Sequence, residues 1–324
     1  MQAIRIKSPG GPEILTLEDI DLAAPGPGQA LVRHTAIGVN FIDVYHRSGL
    51  YPLKLPTVIG VEAAGIVERV GDGVTEVRKG ERVAYAGGVP GAYAEARLIA
   101  AQRLVPLPDD ISDEVAAAGL QKGMTTEYLV RRTYPVKSGE TVLFHAAAGG
   151  VGLVACQWLA WIGARTIGTV GSEAKAALAK EHGCAETVVY TKEDFVARVR
   201  ELTAGRGVPV VYDSVGRDTV PGSLDCLSPR GLLVSFGNAS GKPAPLDIVS
   251  LGPKGSLYLT RPTLDAYTAT REELLASAQA VFDMIRSRHV RVAIGQRFAL
   301  RDAAKAHAAL EARQTIGSTI LTLD

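Results

Sequence analysis

Residues 141–238 alternate strand-like and helix-like segments, and this rhythm limits the fold more than any other feature of the chain. TVLFHA (141–146) is an apolar strand, and the helix-like VGLVACQWLAWIG (151–163) follows it across a glycine turn. ARTIGTV (164–170), a helical stretch over 173–182 and ETVVY (186–190) repeat the pattern. A helix over 193–203 leads to PVVYDSV (209–215), and another near 218–227 leads to GLLVSFGN (231–238). β-branched strands buried on both faces and joined by helices belong in a parallel, doubly wound α/β sheet. SLYLTRP (256–262) reads as a last, edge strand.

The flanks read differently. At 324 residues the chain is too long for one ordinary core, so a second domain is expected. Residues 1 to about 120 hold short strands, among them ALVRHTAIGV (30–39), VEAAGIVERV (61–70) and ERVAYAG (81–87). PGPG (25–28), Gly71-Asp72-Gly73 and Lys79-Gly80 punctuate them, which indicates a β-rich barrel or sandwich-like unit. The C-terminal part shows a helix near 268–288, a short helix 301–312 and a strand STILTL (318–323).

Ala147-x-Gly149-x-x-Gly152 stands after the first parallel strand and before its helix, where a Rossmann dinucleotide fingerprint belongs, with Ala in place of the first Gly. A small residue at 147 permits the tight turn. Gly149 lets the backbone approach a pyrophosphate, and Gly152 lets helix and strand pack closely. The helix start at Val151 offers backbone N–H groups to phosphates. A site preferring NAD places Asp or Glu roughly 20 residues further on, against the ribose 2′-OH. Here the next strand ends Thr169-Val170-Gly171-Ser172 without a carboxylate at its tip, and Lys175 follows. A hydroxyl and an ammonium suit a 2′-phosphate, so the expected cofactor is NADPH, although Glu173 lies beside Lys175.

Composition excludes several classes. A net charge of +1 gives neither nucleic acid nor an anionic membrane any electrostatic attraction. No apolar run reaches the ~18 residues of a membrane span. The N-terminal stretch lacks the apolar core of a signal peptide. Cys156, Cys184 and Cys226 form neither a disulfide framework nor a metal spacing. A cytoplasmic protein is the expectation.

With the glycine turn behind a β-rich unit, the chain resembles the medium-chain dehydrogenase/reductase superfamily from end to end. AIGVNFIDVYHRSGLYP (36–52), GVEAAGIVERVG (60–71), LFHAAAGGVGLVACQW (143–158), VVYDSVGRDT (210–219) and GSLYLTRP (255–262) are similar to its quinone reductase (zeta-crystallin-like) branch. The resemblance implies a GroES-like catalytic domain (1–124 with 264–324) around a Rossmann nucleotide domain (125–263). It also implies a homodimer, for which the edge strand near 256–260 is the natural seam.

Zinc alcohol dehydrogenases of this superfamily carry a Cys at the position of Asn40 and a His at that of Val61; the segment around Gln121 and Lys122 supplies no third cysteine. Zinc needs Cys, His or carboxylate ligands at suitable spacing, so a zinc-free site is expected. Alcohol oxidation needs a Lewis acid. A quinone is already electron-poor, and positioning the nicotinamide against a flat acceptor suffices.

The resemblance places Asn40, Asp43, Tyr45 and Tyr51 in one loop at the interdomain cleft. Asn40 would hydrogen-bond cofactor or acceptor, Tyr45 and Tyr51 would meet a ring, and Asp43 would orient its neighbours. Gly149, Gly150 and Val151 are assigned to the pyrophosphate, and Gly171, Ser172, Lys175 and Tyr190 to the adenosine end. Ser214, Phe236, Gly237 and Asn238 lie beyond the carboxyl ends of the fourth and fifth strands, where ligands of open α/β sheets bind. Arg261 would meet nicotinamide or acceptor, and Arg313 is assigned by resemblance alone. Thr125 and Tyr128, at the start of the nucleotide domain's first helical stretch, complete the expected contacts. The expected reaction is NADPH-dependent reduction of a quinone or related electrophile. A 2-enoyl thioester or other activated-alkene reductase needs the same cofactor site and remains open. So does a bulk crystallin or RNA-binding role.

Overall fold

A computed structural model describes Met1–Leu323, which divide into two compact units. One comprises Met1–Met124, Thr268–Arg286 and Val292–Asp324; the other comprises Thr125–Tyr267 and Ser287–Arg291.

The second unit carries a six-stranded parallel sheet. Its order is Glu186–Val189, Arg165–Val170, Thr141–Phe144, Val208–Asp213, Leu227–Ser235, Tyr258–Thr260. In chain order within the sheet this is 3-2-1-4-5-6, the doubly wound arrangement. The order reverses between Thr141–Phe144 and Val208–Asp213, and the glycine turn leaves the first of these. Tyr258–Thr260 pairs only with Leu227–Ser235, so SLYLT is the expected edge. Leu143, Ile167, Val188, Val211 and Leu233 are fully buried from five adjacent strands, which is why those strands read as near-continuous apolar runs.

Helix ends follow local chemistry. Asp194 caps Phe195–Leu202 by accepting from Val196 N (2.7 Å) and Ala197 N (3.1 Å). The helix Gly150–Ile162 stops where Gly163 turns left-handed (φ 86°). There Gly163 N bonds Ala160 O and Ala164 N bonds Leu159 O, closing a Schellman cap.

The first unit is built on one long strand, Gln29–Val39. Its early half pairs with Ala96–Ala100, its late half with Ser318–Thr322, and its other edge with Glu62–Val70. Arg82–Ala86, Val105–Pro106 and Ile294–Ala299 extend this sheet, and Thr16–Asp19, Gln2–Ile6 and Thr57–Val58 form a smaller one. Strands from both chain ends thus share one core, with Val32, Ile37, Val67, Val83 and Leu321 fully buried in it.

Three expectations need correction. Residues 113–124 are helical, not strand-like: a helix runs Asp113–Glu127 and continues as a π-turn, Tyr128–Thr133. Gly119 and Gly123 hide it in the sequence, yet a Cβ at either would lie 2.7 Å from Val292 or 2.5 Å from Val281, so they are there for close packing. Thr125 and Tyr128 therefore lie within a helical stretch rather than at its beginning. The loop expected at 40–51 opens with a helix, Phe41–Arg47, whose N-terminus Asn40 marks in extended backbone (φ −135°, ψ 154°). Finally, Ile294–Ala299 is a strand that the sequence pattern did not suggest.

Candidate active site

In the parallel-sheet unit the strand Thr141–Phe144 ends in a turn whose left-handed residue is Ala146 (φ 55°). Ala147 packs against Gly168 on the neighbouring strand, where an added Cβ would come within 2.5 Å of its methyl. Gly149 N bonds Ala146 O (2.9 Å) to close the turn. The helix Gly150–Ile162 then begins with no side-chain cap, so the N–H groups of its first turn are left for a ligand. A Cβ on Gly152 would collide with Ala146 O and stand 2.7 Å from Ala147 C. Only glycine lets helix and turn approach this closely.

Beneath the turn lies a buried polar network. His145 Nδ1 meets Thr169 Oγ1 (2.8 Å) and Nε2 meets Ser223 Oγ (2.9 Å). Ser223 in turn donates to Asp213 Oδ2 (2.8 Å). With its hydroxyl proton directed at Asp213, Ser223 accepts from His145 Nε2–H, which leaves Nδ1 to accept from Thr169 Oγ1. Burial pushes the imidazole pKa down, against the attraction of Asp213, and keeps the ring neutral. Asp213 Oδ1 accepts from Val215 N, Gly216 N and Thr219 Oγ1, fixing the loop that carries Ser214.

At the adenosine end the strand Arg165–Val170 delivers Gly171 and Ser172. Ser172 caps the helix Glu173–Glu181, accepting from Lys175 N (3.4 Å). A Cβ on Gly171 would lie 2.8 Å from Tyr190 Oη, so the tyrosine stands directly over that glycine. Glu173, the carboxylate that complicated the field around Lys175, pairs with Lys192 (2.8 Å). Gly237 likewise faces Ser214, whose Cα is 2.9 Å from the position of an added Cβ. Arg261 Nη1 donates to Ser235 O (2.9 Å) and Gly237 O (3.0 Å), tying Pro262's predecessor to the end of the fifth strand. Tyr128 stacks on Tyr267 (4.6 Å, 12°), and burial raises its phenol pKa, opposed by Arg261. Phe236 packs against Phe144, and Asn238 closes the following turn by accepting from Gly241 N.

The other unit holds a second polar group. Asp43, three residues into the helix, reaches back with Oδ2 to Asn40 N (2.9 Å). Asn40 Nδ2 donates to Glu62 Oε2 (2.8 Å), and Lys122 Nζ donates to both Asn40 Oδ1 (2.9 Å) and Glu62 Oε2 (3.0 Å). Gln121 N donates to Glu62 Oε1 (2.7 Å). Glu62 is wholly buried and Lys122 is 4% exposed. Gly38 makes room for them, since a Cβ there would run into Glu62 and Ala117 O. Asp43 Oδ2 also accepts from Tyr93 Oη (3.0 Å), which meets His307 Nε2 (2.9 Å). His307 Nδ1 faces Arg47 Nη1 (3.3 Å), whose guanidinium grips Glu311 with two 2.7 Å bonds. Burial lifts the Asp43 pKa to about 7 and, with Arg47 adding repulsion, drives that of His307 down to about 3.

Tyr45 and Tyr51 meet edge to face at 5.2 Å, with Tyr45 buried and Tyr51 half-buried. Arg313 is exposed, in left-handed backbone (φ 58°) just past the helix Ala303–Glu311. Glu62, Lys122, Tyr93 and His307 escaped the sequence reading. The available signal was a lone charge inside VEAAGIV and another inside AAAGLQKGM, because unpaired charges do not belong in apolar runs. Among the described residues no His, Cys, Asp and Glu cluster has the makings of a metal centre. No helix among them is long and apolar enough to cross a membrane.

Residues 26–109 match the alcohol dehydrogenase GroES-like domain, and residues 150–277 match the zinc-binding dehydrogenase family. The chain is 55% identical to a quinone oxidoreductase of Pseudomonas aeruginosa over 98% of each sequence. It is 46% identical to a 2-haloacrylate reductase of a Burkholderia species, over 99% of this chain and 98% of that one. The crystal structure of Escherichia coli quinone oxidoreductase complexed with NADPH superposes with a TM-score of 0.98 at 48% identity, covering 99% of this chain and all of that one.

Proposed function

The chain belongs to the zinc-free quinone oxidoreductase branch of the medium-chain dehydrogenase/reductase superfamily, and from that premise we propose how its residues divide the transfer of a hydride from NADPH to a quinone. NADPH, when bound, supplies the hydride; the protein's part is to hold, orient and exclude.

The parallel-sheet unit acts as the nucleotide domain. Gly149, Gly150 and Val151 present backbone N–H groups to the pyrophosphate. Ser172 and Lys175 hold the 2′-phosphate, and Tyr190 covers the adenosine side over Gly171. Ser214, Phe236, Gly237 and Asn238 line the ends of the fourth and fifth strands, with Arg261, Thr125 and Tyr128 as further contacts of the same unit. The β-rich unit acts as the catalytic domain, where Asn40 and Tyr45 address the reacting rings and Asp43 and Tyr51 support them. Arg313 joins this set as an exposed cation. The observation that carries the cofactor assignment is the strand tip at Val170: it bears no carboxylate, and the nearby Glu173 is engaged by Lys192.

A related acceptor, an activated alkene, is favoured by the 46% identity to a 2-haloacrylate reductase. Steady-state NADPH oxidation over 1,4-benzoquinone, a 2-haloacrylate and an enoyl thioester ranks the acceptors, and faster turnover of an alkene than of any quinone would displace the quinone reading. Lys175→Glu is expected to lower the NADPH over NADH preference at least tenfold; an unchanged preference removes Lys175 from the site.

We also propose a homodimer through the edge strand. Tyr258 and Leu259 are 61% and 45% exposed on it, and Ile248 and Val249 are 76% and 74% exposed on a neighbouring turn of the same unit. Sedimentation velocity of Leu259→Lys should show a shift toward monomer. Three buried free thiols fit a reducing cytoplasm.

A further inference from the structure

An ammonium donates only and a carboxylate accepts only, so an amide set between them can sit in one orientation alone. Asn40 is in that position. Its Oδ1 takes a bond from Lys122 Nζ and its Nδ2 gives one to Glu62 Oε2, while Lys122 and Glu62 bond each other at 3.0 Å. Its backbone is fixed as well, through Asn40 N to Asp43 Oδ2.

Burying an ion pair rarely adds stability, because desolvation offsets the attraction. Glu62 has no exposed surface and Lys122 almost none, so this pair is poorly explained as a fold stabiliser. The comparison with zinc alcohol dehydrogenases singles out Asn40 and Val61, the neighbour of Glu62, and Lys122 lies in the segment that lacks the third cysteine. Lys122, Glu62 and Asn40 converge as a buried ion pair, with no net charge, around an oriented amide.

We propose that the Lys122–Glu62 pair is a positioning device for Asn40, and that it holds the second Nδ2 proton as a hydrogen-bond donor for the oxygen of the quinone acceptor. This rests on the reading of Asn40 as an acceptor-side residue. Each turnover consumes one quinone, one NADPH and one solvent proton and yields hydroquinone and NADP⁺. Negative charge builds on the acceptor oxygen as the hydride arrives, and a donor already aimed there needs no reorganisation when the charge appears. Asn40 donates a hydrogen bond throughout and loses no proton. Lys122 and Glu62 touch neither substrate, and act only through the amide.

The test is a double-mutant cycle on kcat with 1,4-benzoquinone at saturating NADPH. It compares Asn40→Ala, the charge-free Glu62→Gln/Lys122→Met, and the triple variant, with NADPH affinity followed by fluorescence titration and folding by thermal melting. Glu62→Gln/Lys122→Met is expected to lower kcat at least tenfold while the Kd for NADPH stays within threefold. The triple variant should match Asn40→Ala within twofold, because the pair has nothing left to position. If the two losses multiply in the triple variant, or if the pair's removal leaves kcat intact, the proposal is wrong while the reading of Asn40 stands. If Asn40→Ala itself keeps the wild-type kcat, or if its loss is entirely in NADPH affinity, the reading of Asn40 falls and takes the proposal with it. Should Glu62→Gln/Lys122→Met not fold, Glu62→Gln/Lys122→Gln replaces it. Its two amides can satisfy Asn40 in either orientation, so kcat should still fall relative to wild type and the triple comparison is made in the same way.

Discussion

The two units each bury a polar network, and the two are built for different ends. Under the glycine turn, Thr169, His145, Ser223 and Asp213 form a chain with one formal charge and a neutral imidazole, and Asp213 anchors backbone N–H groups. In the β-rich unit, Lys122, Glu62 and Asn40 form a charged knot whose bonds run largely from side chain to side chain. A phosphate site made of backbone N–H groups needs its loop held still, and a carboxylate that accepts several bonds from the neighbouring loop does that. A site that presents a side-chain donor needs that side chain oriented, and opposite charges orient it without ambiguity.

The sharpest separation of the two comes from removing one partner of each. Lys122→Met strands the carboxylate of Glu62 at zero exposure and should lower stability by about 3–5 kcal/mol in chemical denaturation. A loss below ~1 kcal/mol would mean that water reaches the pair. Gly152→Ala attacks the turn instead: its methyl collides with Ala146 O and forces the helix away, so NADPH affinity should drop about 100-fold, or ~2.7 kcal/mol. Calorimetric titration measures this, and unchanged binding would show that the helix start is not the phosphate site. Ser223→Ala, the counterpart of Lys122→Met in the network under the glycine turn, removes an uncharged hydroxyl and should cost only about 1–2 kcal/mol. Equal losses from the two would erase the distinction.

The smallest effect is a pH slope. Asp43, with its pKa raised to about 7, contributes stability that is full below the unfolded value near 3.8 and is lost as pH rises toward 7. His34 and His307, lowered to about 4 and about 3, work the other way: stability is full above 6.5 and is lost as pH falls. Asp43→Asn keeps an oxygen for Asn40 N and Tyr93 Oη but deletes the first slope. Its stability should then climb more steeply between pH 4 and 6.5 than that of the wild type, by up to ~1.4 kcal/mol per pH unit. Parallel curves in pH-dependent thermal melts would show that Asp43 ionises freely in the fold.

The same contrast governs what could be read in advance. Ala147-x-Gly149-x-x-Gly152 announced the nucleotide site because backbone geometry is dictated locally: the tight turn, the close approach and the helix start all fall within a few residues. The inner parallel strands were legible for the same reason, since burial on two faces writes itself into every residue of a strand. Tyr258–Thr260, largely exposed, was legible as the edge only from its place last in the series. The helix Phe41–Arg47 was missed although Asn40 and Asp43 stand at capping spacing, because seven residues are too few for a helical period to show. The helix beginning at Asp113 was missed because its glycines answer to Val281 and Val292, which lie far along the chain.

By itself, then, the sequence determined a doubly wound nucleotide unit, its phosphate turn, the absence of a strand-tip carboxylate and a β-rich partner unit, all of them consequences of short-range spacing. Only the tertiary structure decided that residues 40, 62 and 122 meet, that Glu173 is taken by Lys192, and that Asp43 is linked through Tyr93 to His307. Those contacts join side chains from separate elements, and no local pattern constrains them. What fixes the buried ones is that polar and charged groups enclosed in one low-dielectric core must find partners, whereas Glu173 and Lys192, both exposed, meet because their elements end side by side.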